Sequence, residues 1–269
     1  MNTLPTVKHI VAVASGKGGV GKSTVAVNLA LALSKQGLSV GLLDADIYGP
    51  SQSMMLGAQI KGNLEVVDEL LIPVKLYGIE TMSISFVSSD RTPAIWRGPM
   101  ASGAMEQLLT KTKWGKLDVL FVDMPPGTGD IQLTLAQKVR VSGAVIVTTP
   151  QNIALLDARK GIEMFRRVSI PVIGVVENMS VYVCPDCGYE DRVYGKGGGS
   201  SVSKEYDTSL LGEIPLNSKI RACSDEGQPI FLKNSETLLN EIFMKIAGTV
   251  KKFLDSSSAT VPTIKISDD

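Results

Sequence analysis

The stretch Ser15-Gly16-Lys17-Gly18-Gly19-Val20-Gly21-Lys22-Ser23-Thr24 constrains the rest of the chain more than any other. An apolar run at 10–14 leads into it and a helical run at 25–33 leaves it. Strand, glycine-rich loop and helix thus follow in order, and Gly16, Gly21, Lys22 and Ser23 meet the G-x-x-x-x-G-K-[ST] spacing. The chemistry explains the residue types. Without Cβ atoms, Gly16, Gly18, Gly19 and Gly21 can turn tightly and present backbone N–H groups to phosphate oxygens. The helix N-terminus adds partial positive charge at the same place. Lys22 is placed to bridge the β- and γ-phosphates of a nucleotide, and the Ser23 hydroxyl to hold Mg²⁺. A chance glycine-rich turn would not need the flanking strand and helix. A second lysine, Lys17, is more than a phosphate cradle requires and reads, from the residues alone, as a solvated loop charge.

At 269 residues the chain can bury about three quarters of its unfolded surface in one core. Apolar runs at 39–43, 79–86, 117–123, 144–149 and 172–177 alternate with helical patterns at 103–113, 131–139 and 155–167. The runs at 64–67 and 70–76 suit a hairpin around Asp68-Glu69. Short, β-branched, almost wholly apolar strands are those buried on both faces. The expected fold is therefore α/β, a mostly parallel sheet with helices on both faces and right-handed crossovers. Ligands should collect at the carboxyl ends of the strands.

Two of those ends carry acids. Asp46 opens Asp46-Ile47-Tyr48-Gly49-Pro50-Ser51, and Asp123 opens Asp123-Met124-Pro125-Pro126-Gly127-Thr128-Gly129-Asp130. An aspartate at the end of a rigid apolar strand can meet a magnesium shell beside the phosphate loop. Alone, each would pass for a helix cap or turn residue. The Gly- and Pro-rich text after each suits segments that change shape with the γ-phosphate. Asn178, in Glu177-Asn178-Met179-Ser180 at a strand end, can read an adenine edge or hold its own turn. Trp96-Arg97-Gly98-Pro99-Met100 opens a helix, with Arg97 read as a surface arginine over Trp96.

Cys184-Pro185-Asp186-Cys187-Gly188 is a C-x-x-C in a loop after Asn178. A redox dithiol wants its first cysteine at a helix N-terminus, and no helical pattern follows here. A tetrahedral zinc site or a Cys₄ cluster needs four ligands, so one pair is half a site. A two-fold dimer would complete it. Cys223 reads as a small packed apolar residue, and His9 as structural.

Lys plus Arg equals Asp plus Glu at 27 each, which gives no global attraction to nucleic acid or to an anionic membrane. Three cysteines suit a reducing compartment. Neither a signal peptide nor an Arg-rich transit peptide is seen in the first residues. The expectation is a cytoplasmic protein, or one of the mitochondrial matrix whose presequence has been removed.

As a set, these motifs resemble a known family. The loop resembles the deviant Walker A loop of the dimerising nucleotidases that include MinD, ParA, the nitrogenase iron protein and the Mrp/ApbC group. With Asp44-Ala45-Asp46-Ile47-Tyr48-Gly49-Pro50-Ser51, Trp96-Arg97-Gly98-Pro99-Met100, the Asp123 segment, Glu177-Asn178-Met179-Ser180 and the C-x-x-C, the resemblance narrows to the Mrp/ApbC iron–sulfur carriers, mitochondrial Ind-type members included. It implies a homodimeric ATPase using ATP and Mg²⁺. Residues Gly16 to Thr24, Val20 among them, would bind the nucleotide, with Lys17 reaching across the dimer. Asp46 would orient the attacking water, Asp123 would serve Mg²⁺, and Asn178 would touch the base, with 212–216 as a further backbone contact. A [4Fe–4S] cluster would lie between subunits on Cys184 and Cys187 of each. A cluster scaffold would be its donor and apo iron–sulfur proteins its recipients. The small N-terminal domain of many bacterial members and the N-terminal cysteine cluster of the cytosolic scaffold branch are not seen, so a minimal carrier is expected.

The rival reading is a MinD/ParA-like positioning or partition ATPase. Leu238, Leu239, Ile242, Phe243, Ile246, Val250 and Phe253 form an apolar stripe at helical spacing. Lys245, Lys251 and Lys252 beside it are offset by Glu236, Glu241 and Asp255, which favours docking on the core over a membrane. The domain reading is a flexible 1–7, an ATPase domain at 8–255 and a disordered polar tail at 256–269.

Overall fold

A computed structural model describes residues 4–58, 64–87, 98–233 and 237–258. In chain order it gives β1 (Val7–Ala14), α1 (Lys22–Lys35), β2 (Val40–Asp44), α2 (Gln52–Met55), β3 (Val66–Val67), β4 (Leu70–Leu71), β5 (Val74–Leu76) and β6 (Ile79–Ser83). Then come α3 (Ile84–Val87), α4 (Gly98–Thr110), β7 (Leu117–Asp123), α5 (Asp130–Lys138), β8 (Gly143–Thr148) and α6 (Asn152–Arg167). The chain continues as β9 (Val172–Val183), β10 (Glu190–Asp191), α7 (Gly198–Glu205), β11 (Ser209–Leu216), α8 (Ser218–Asp225) and α9 (Thr237–Ser258). Trp96, Arg97 and Glu236, and residues 1–3 and 259–269 of the two expected termini, lie outside the described residues.

The main sheet runs β11-β9-β8-β1-β7-β2-β6 in parallel, with β5 antiparallel at one edge. Period-two alternation deals the strand side chains to two cores. Val11, Val13, Leu42, Val119, Phe121, Val145 and Val147 face one, with α1 and α9. Ile10, Ala12, Leu43, Leu120, Val122, Ala144 and Ile146 face the other, with α4, α5 and α6. Helix α1 is apolar nearly all round, and residues 25–33 are all buried because α9 covers its outer side. That is the fate of the terminal stripe: Leu239, Phe243, Ile246, Val250 and Leu254 are buried on the core, while Leu238 stays 67% exposed.

Three features depart from the sequence expectation. The run at 70–76 is broken at Ile72-Pro73 into β4 and β5, since proline cannot donate to a ladder. Strand β9 does not close at Ser180 but continues to Val183. Met179, at φ 57°, bends it where the register to β11 shifts between Ile214 and Leu216. Its far end pairs antiparallel with β10, through Val183 with Glu190 and Tyr182 with Asp191. The run read as one strand at 79–86 is strand only to Ser83, with Ile84–Val87 turning helical as α3, and further along the glycine run at 197–199 opens α7. Gly197, in the left-handed region, precedes the helix, and the Gly199 N–H donates to the buried Glu177 carboxylate at 2.5 Å.

Candidate functional site

The parallel register brings one strand end to each part of the site. Val13 of β1 and Asp44 of β2 both stand opposite Asp123 of β7. The phosphate loop therefore leaves β1 beside two buried aspartates. Gly21 caps α1 with φ 83°, a conformation that favours glycine. A Cβ there would lie 2.1 Å from Nδ2 of Asn178, and one on Gly16 would lie 2.1 Å from the Asp157 carbonyl carbon of α6. Asn178 uses that Nδ2 to donate to the Val20 carbonyl at 2.8 Å, buried. The bond is neither a base contact nor a bond to its own turn, the two uses read from the sequence: it braces the phosphate loop.

Lys22 is buried and donates to Asp123 Oδ1 at 2.5 Å and to Ser23 Oγ at 3.1 Å. Its charge answers that of Asp123, which also accepts from Gln52 Nε2 at 2.8 Å. Asp44 is fully buried. Its Oδ2 accepts from the Ser51 and Gln52 N–H groups, both at 3.0 Å, and from the Ser83 hydroxyl at 3.2 Å. Burial, and then the Asp123 charge, push its pKa up to about 7. Asp44 thus anchors the turn that carries Asp46. Asp46 is half-buried, accepts from the Gly49 N–H at 3.2 Å, and is held above the usual carboxylate range mainly by burial. With Tyr48, Pro125, Pro126 and Gln132 it lines a cleft of about 420 Å³. Gln132, buried, braces the segment after Asp123 by donating to the Pro125 carbonyl at 3.0 Å and the Gly127 carbonyl at 2.9 Å. The Gly127 N–H in turn donates to the Ser15 carbonyl at 2.9 Å. Lys17 is half-buried and forms no ion pair among the described residues. Sequence reasoning passed over Asp44, Gln52 and Gln132. Only Asp44 left a signal, as the first acid of Asp44-Ala45-Asp46.

The two cysteines follow the carboxyl end of β9, beyond Asn178. The Cys184 N–H donates to the Tyr189 carbonyl and the Gly188 N–H to the Cys184 carbonyl, both at 2.9 Å, with Gly188 at φ 73°. In this tight knuckle backbone hydrogen bonding from Cys187 and then Asp186 holds the Cys184 thiol pKa below its ordinary value. Cys184 is half-buried and Cys187 exposed. Among the described residues no group of three or more His, Cys, Asp or Glu is arranged to hold a metal ion, here or elsewhere. Cys223 is buried in α8, and His9 in β1, where its Nδ1 lies 3.2 Å from the Ser142 hydroxyl.

The chain is similar to several known proteins. An iron–sulfur cluster carrier protein of Pseudomonas fragi is 54% identical over 91% of this chain and 86% of its own. The Escherichia coli K12 protein of that name is 49% identical over 95% and 69%. The mouse iron–sulfur cluster transfer protein NUBPL is 48% identical over 93% and 79%. Among solved structures, a nucleotide-binding protein of Archaeoglobus fulgidus in complex with ADP superposes with a TM-score of 0.76. It is 39% identical, over 89% of this chain and 93% of that one. The cell-division ATPase MinD of Pyrococcus furiosus shares the fold, with a TM-score of 0.70 at 22% identity over 91% and 99%. A family model described as ParA, NUBPL iron-transfer P-loop NTPase, matches residues 6–251. This chain therefore belongs to the NUBPL-type iron-transfer branch of the ParA P-loop NTPases.

Proposed function

We propose that the chain is an ATP-hydrolysing iron–sulfur carrier that holds a [4Fe–4S] cluster between two copies of itself and passes it to apoproteins. The observation that carries this reading is the cysteine knuckle. Backbone hydrogen bonding at the Cys184 sulfur favours the thiolate that iron requires, and one pair, half-buried at Cys184 and exposed at Cys187, supplies half of a four-thiolate set. The names of the relatives point the same way. A cluster scaffold would be the donor, and the cytoplasm, or the mitochondrial matrix, the setting.

The nucleotide site fits ATP with Mg²⁺. Two loop glycines whose Cβ atoms would collide, a buried lysine and a buried acceptor without a donor among the described residues, Gln52 Oε1, are all features of a built pocket. Residues Gly16 to Thr24 would hold the phosphates, and Ser23 and Asp123 the magnesium, which neutralises charge developing on the transferred phosphoryl group. Lys22 would then exchange its bond to Asp123 for one to phosphate, leaving that carboxylate to the metal shell. Asp46 faces the cleft and would orient the attacking water. Lys17 would act across the dimer as an arginine finger does. Asn178 would couple base and loop, and about 20 Å of β9 joins it to the knuckle.

The test is anaerobic transfer from reconstituted protein to an apo four-iron enzyme, following regained activity with ATP, with a non-hydrolysable analogue and without nucleotide. A carrier restores activity and does so at nucleotide-dependent rates. Failure to retain any cluster overturns the reading.

A further inference from the structure

Gln52, the first residue of α2, is 2% exposed and sits between the two groups proposed for magnesium. Its side-chain amide nitrogen donates to the Ser23 carbonyl at 3.0 Å and to Asp123 Oδ2 at 2.8 Å. Both partners only accept, so chemistry fixes which amide atom is nitrogen and which is oxygen. The amide oxygen is therefore the other atom, and it is buried with no donor among the described residues. Buried acceptors are costly to leave unmade, and native proteins satisfy nearly all of them. The backbone of Gln52 is itself pinned, since its N–H donates to Asp44 Oδ2 at 3.0 Å, so the side chain cannot easily be aimed elsewhere.

We propose that Gln52 is a positioning residue for the magnesium ion: its amide nitrogen orients the Asp123 carboxylate and its amide oxygen accepts a hydrogen bond from a magnesium-bound water. Mg²⁺ keeps several of its waters and takes few protein ligands directly, so hydrogens of those waters need acceptors in a dry pocket. A carboxylate there would add to the negative charge of Asp123. A neutral amide supplies donor and acceptor without it. Groups in this outer position typically alter metal affinity by about 10- to 100-fold. The inference rests on the ATPase reading above and says how its metal is held.

The experiment titrates ADP into wild-type protein and Gln52→Leu by calorimetry, in EDTA and in Mg²⁺, with Mn²⁺ affinity of each ADP complex read by electron paramagnetic resonance. Thermal unfolding in EDTA checks that the variant folds. If Gln52→Leu does not melt cooperatively, Gln52→Met, of similar length, takes its place. The expected result is unchanged ADP affinity in EDTA, with the gain from Mg²⁺ and the Mn²⁺ affinity each reduced about 10-fold or more. An undiminished magnesium gain, or an equal loss with and without metal, overturns the assignment and leaves Gln52 a structural contact. Wild-type protein that binds no ADP in either condition overturns the ATPase reading itself.

Discussion

The contact between Gly21 and Asn178 allows a quantitative test of how the phosphate loop is held. Gly21→Ala meets two separate penalties. The left-handed backbone at φ 83° costs an alanine about 1–2 kcal/mol. The new Cβ also falls 2.1 Å from Asn178 Nδ2, which must withdraw from the Val20 carbonyl and leave a buried group unpaired, a further ~1–3 kcal/mol. The single variant should therefore lose about 2–5 kcal/mol. Asn178→Ala removes the same hydrogen bond and should lose about 1–3 kcal/mol. The two penalties share one contact, so the double variant should be no worse than Gly21→Ala alone, a coupling of about 1–3 kcal/mol. Urea unfolding of the four proteins in EDTA, without nucleotide, measures it. Losses that add within about 0.5 kcal/mol would refute the claim that Asn178 braces the loop.

Lys22→Ala should abolish productive ATP binding and also cost about 3–5 kcal/mol in nucleotide-free protein, because Asp123 loses its buried counter-charge; calorimetry and unfolding together check both. Lys17→Ala, whose ammonium has no ion-pair partner among the described residues, should keep much of the binding but lower phosphate release. Glu177 is held above the usual carboxylate range by burial, so its folded pKa exceeds its unfolded one. Its contribution to stability is present below the unfolded pKa and is lost as pH rises through the folded one. Wild-type protein should accordingly lose more stability than Glu177→Gln as pH rises from the unfolded carboxylate value through the raised folded one, and equal losses in parallel melts would contradict the assignment.

The nucleotide site was legible because its signals are local. A fixed loop spacing and acids at the ends of apolar runs place Lys22, Ser23 and Asp123 together once the strands pair in parallel. What escaped depends on contacts distant in sequence. Nothing near Met179 announces a left-handed methionine, and exposed Tyr182 and Val183 give no buried-strand pattern, so the reach of β9 to the knuckle was hidden. Glycine disfavours helix interiors, which masks α7 until the Glu177 carboxylate is seen at its first turn. The terminal stripe was read correctly as a docking face, yet its edge shifted from Leu238 to Leu254, because the packing of α1 sets which residues meet the core. Asn178 carries the same amide whether it meets a base or a carbonyl, and only the position of Val20 shows the bond it makes.

The central claim, a cluster bridging two chains through Cys184 and Cys187, is tested most directly by one measurement. Anaerobically reconstituted protein is analysed for iron and acid-labile sulfide per chain alongside its native mass, for wild type, Cys184→Ala, Cys187→Ala and Cys223→Ala. Wild type and Cys223→Ala should be dimers with about one [4Fe–4S] cluster per two chains, and the other two variants should hold almost none. A full cluster on every chain, or iron retained in both Cys184→Ala and Cys187→Ala, would contradict the account.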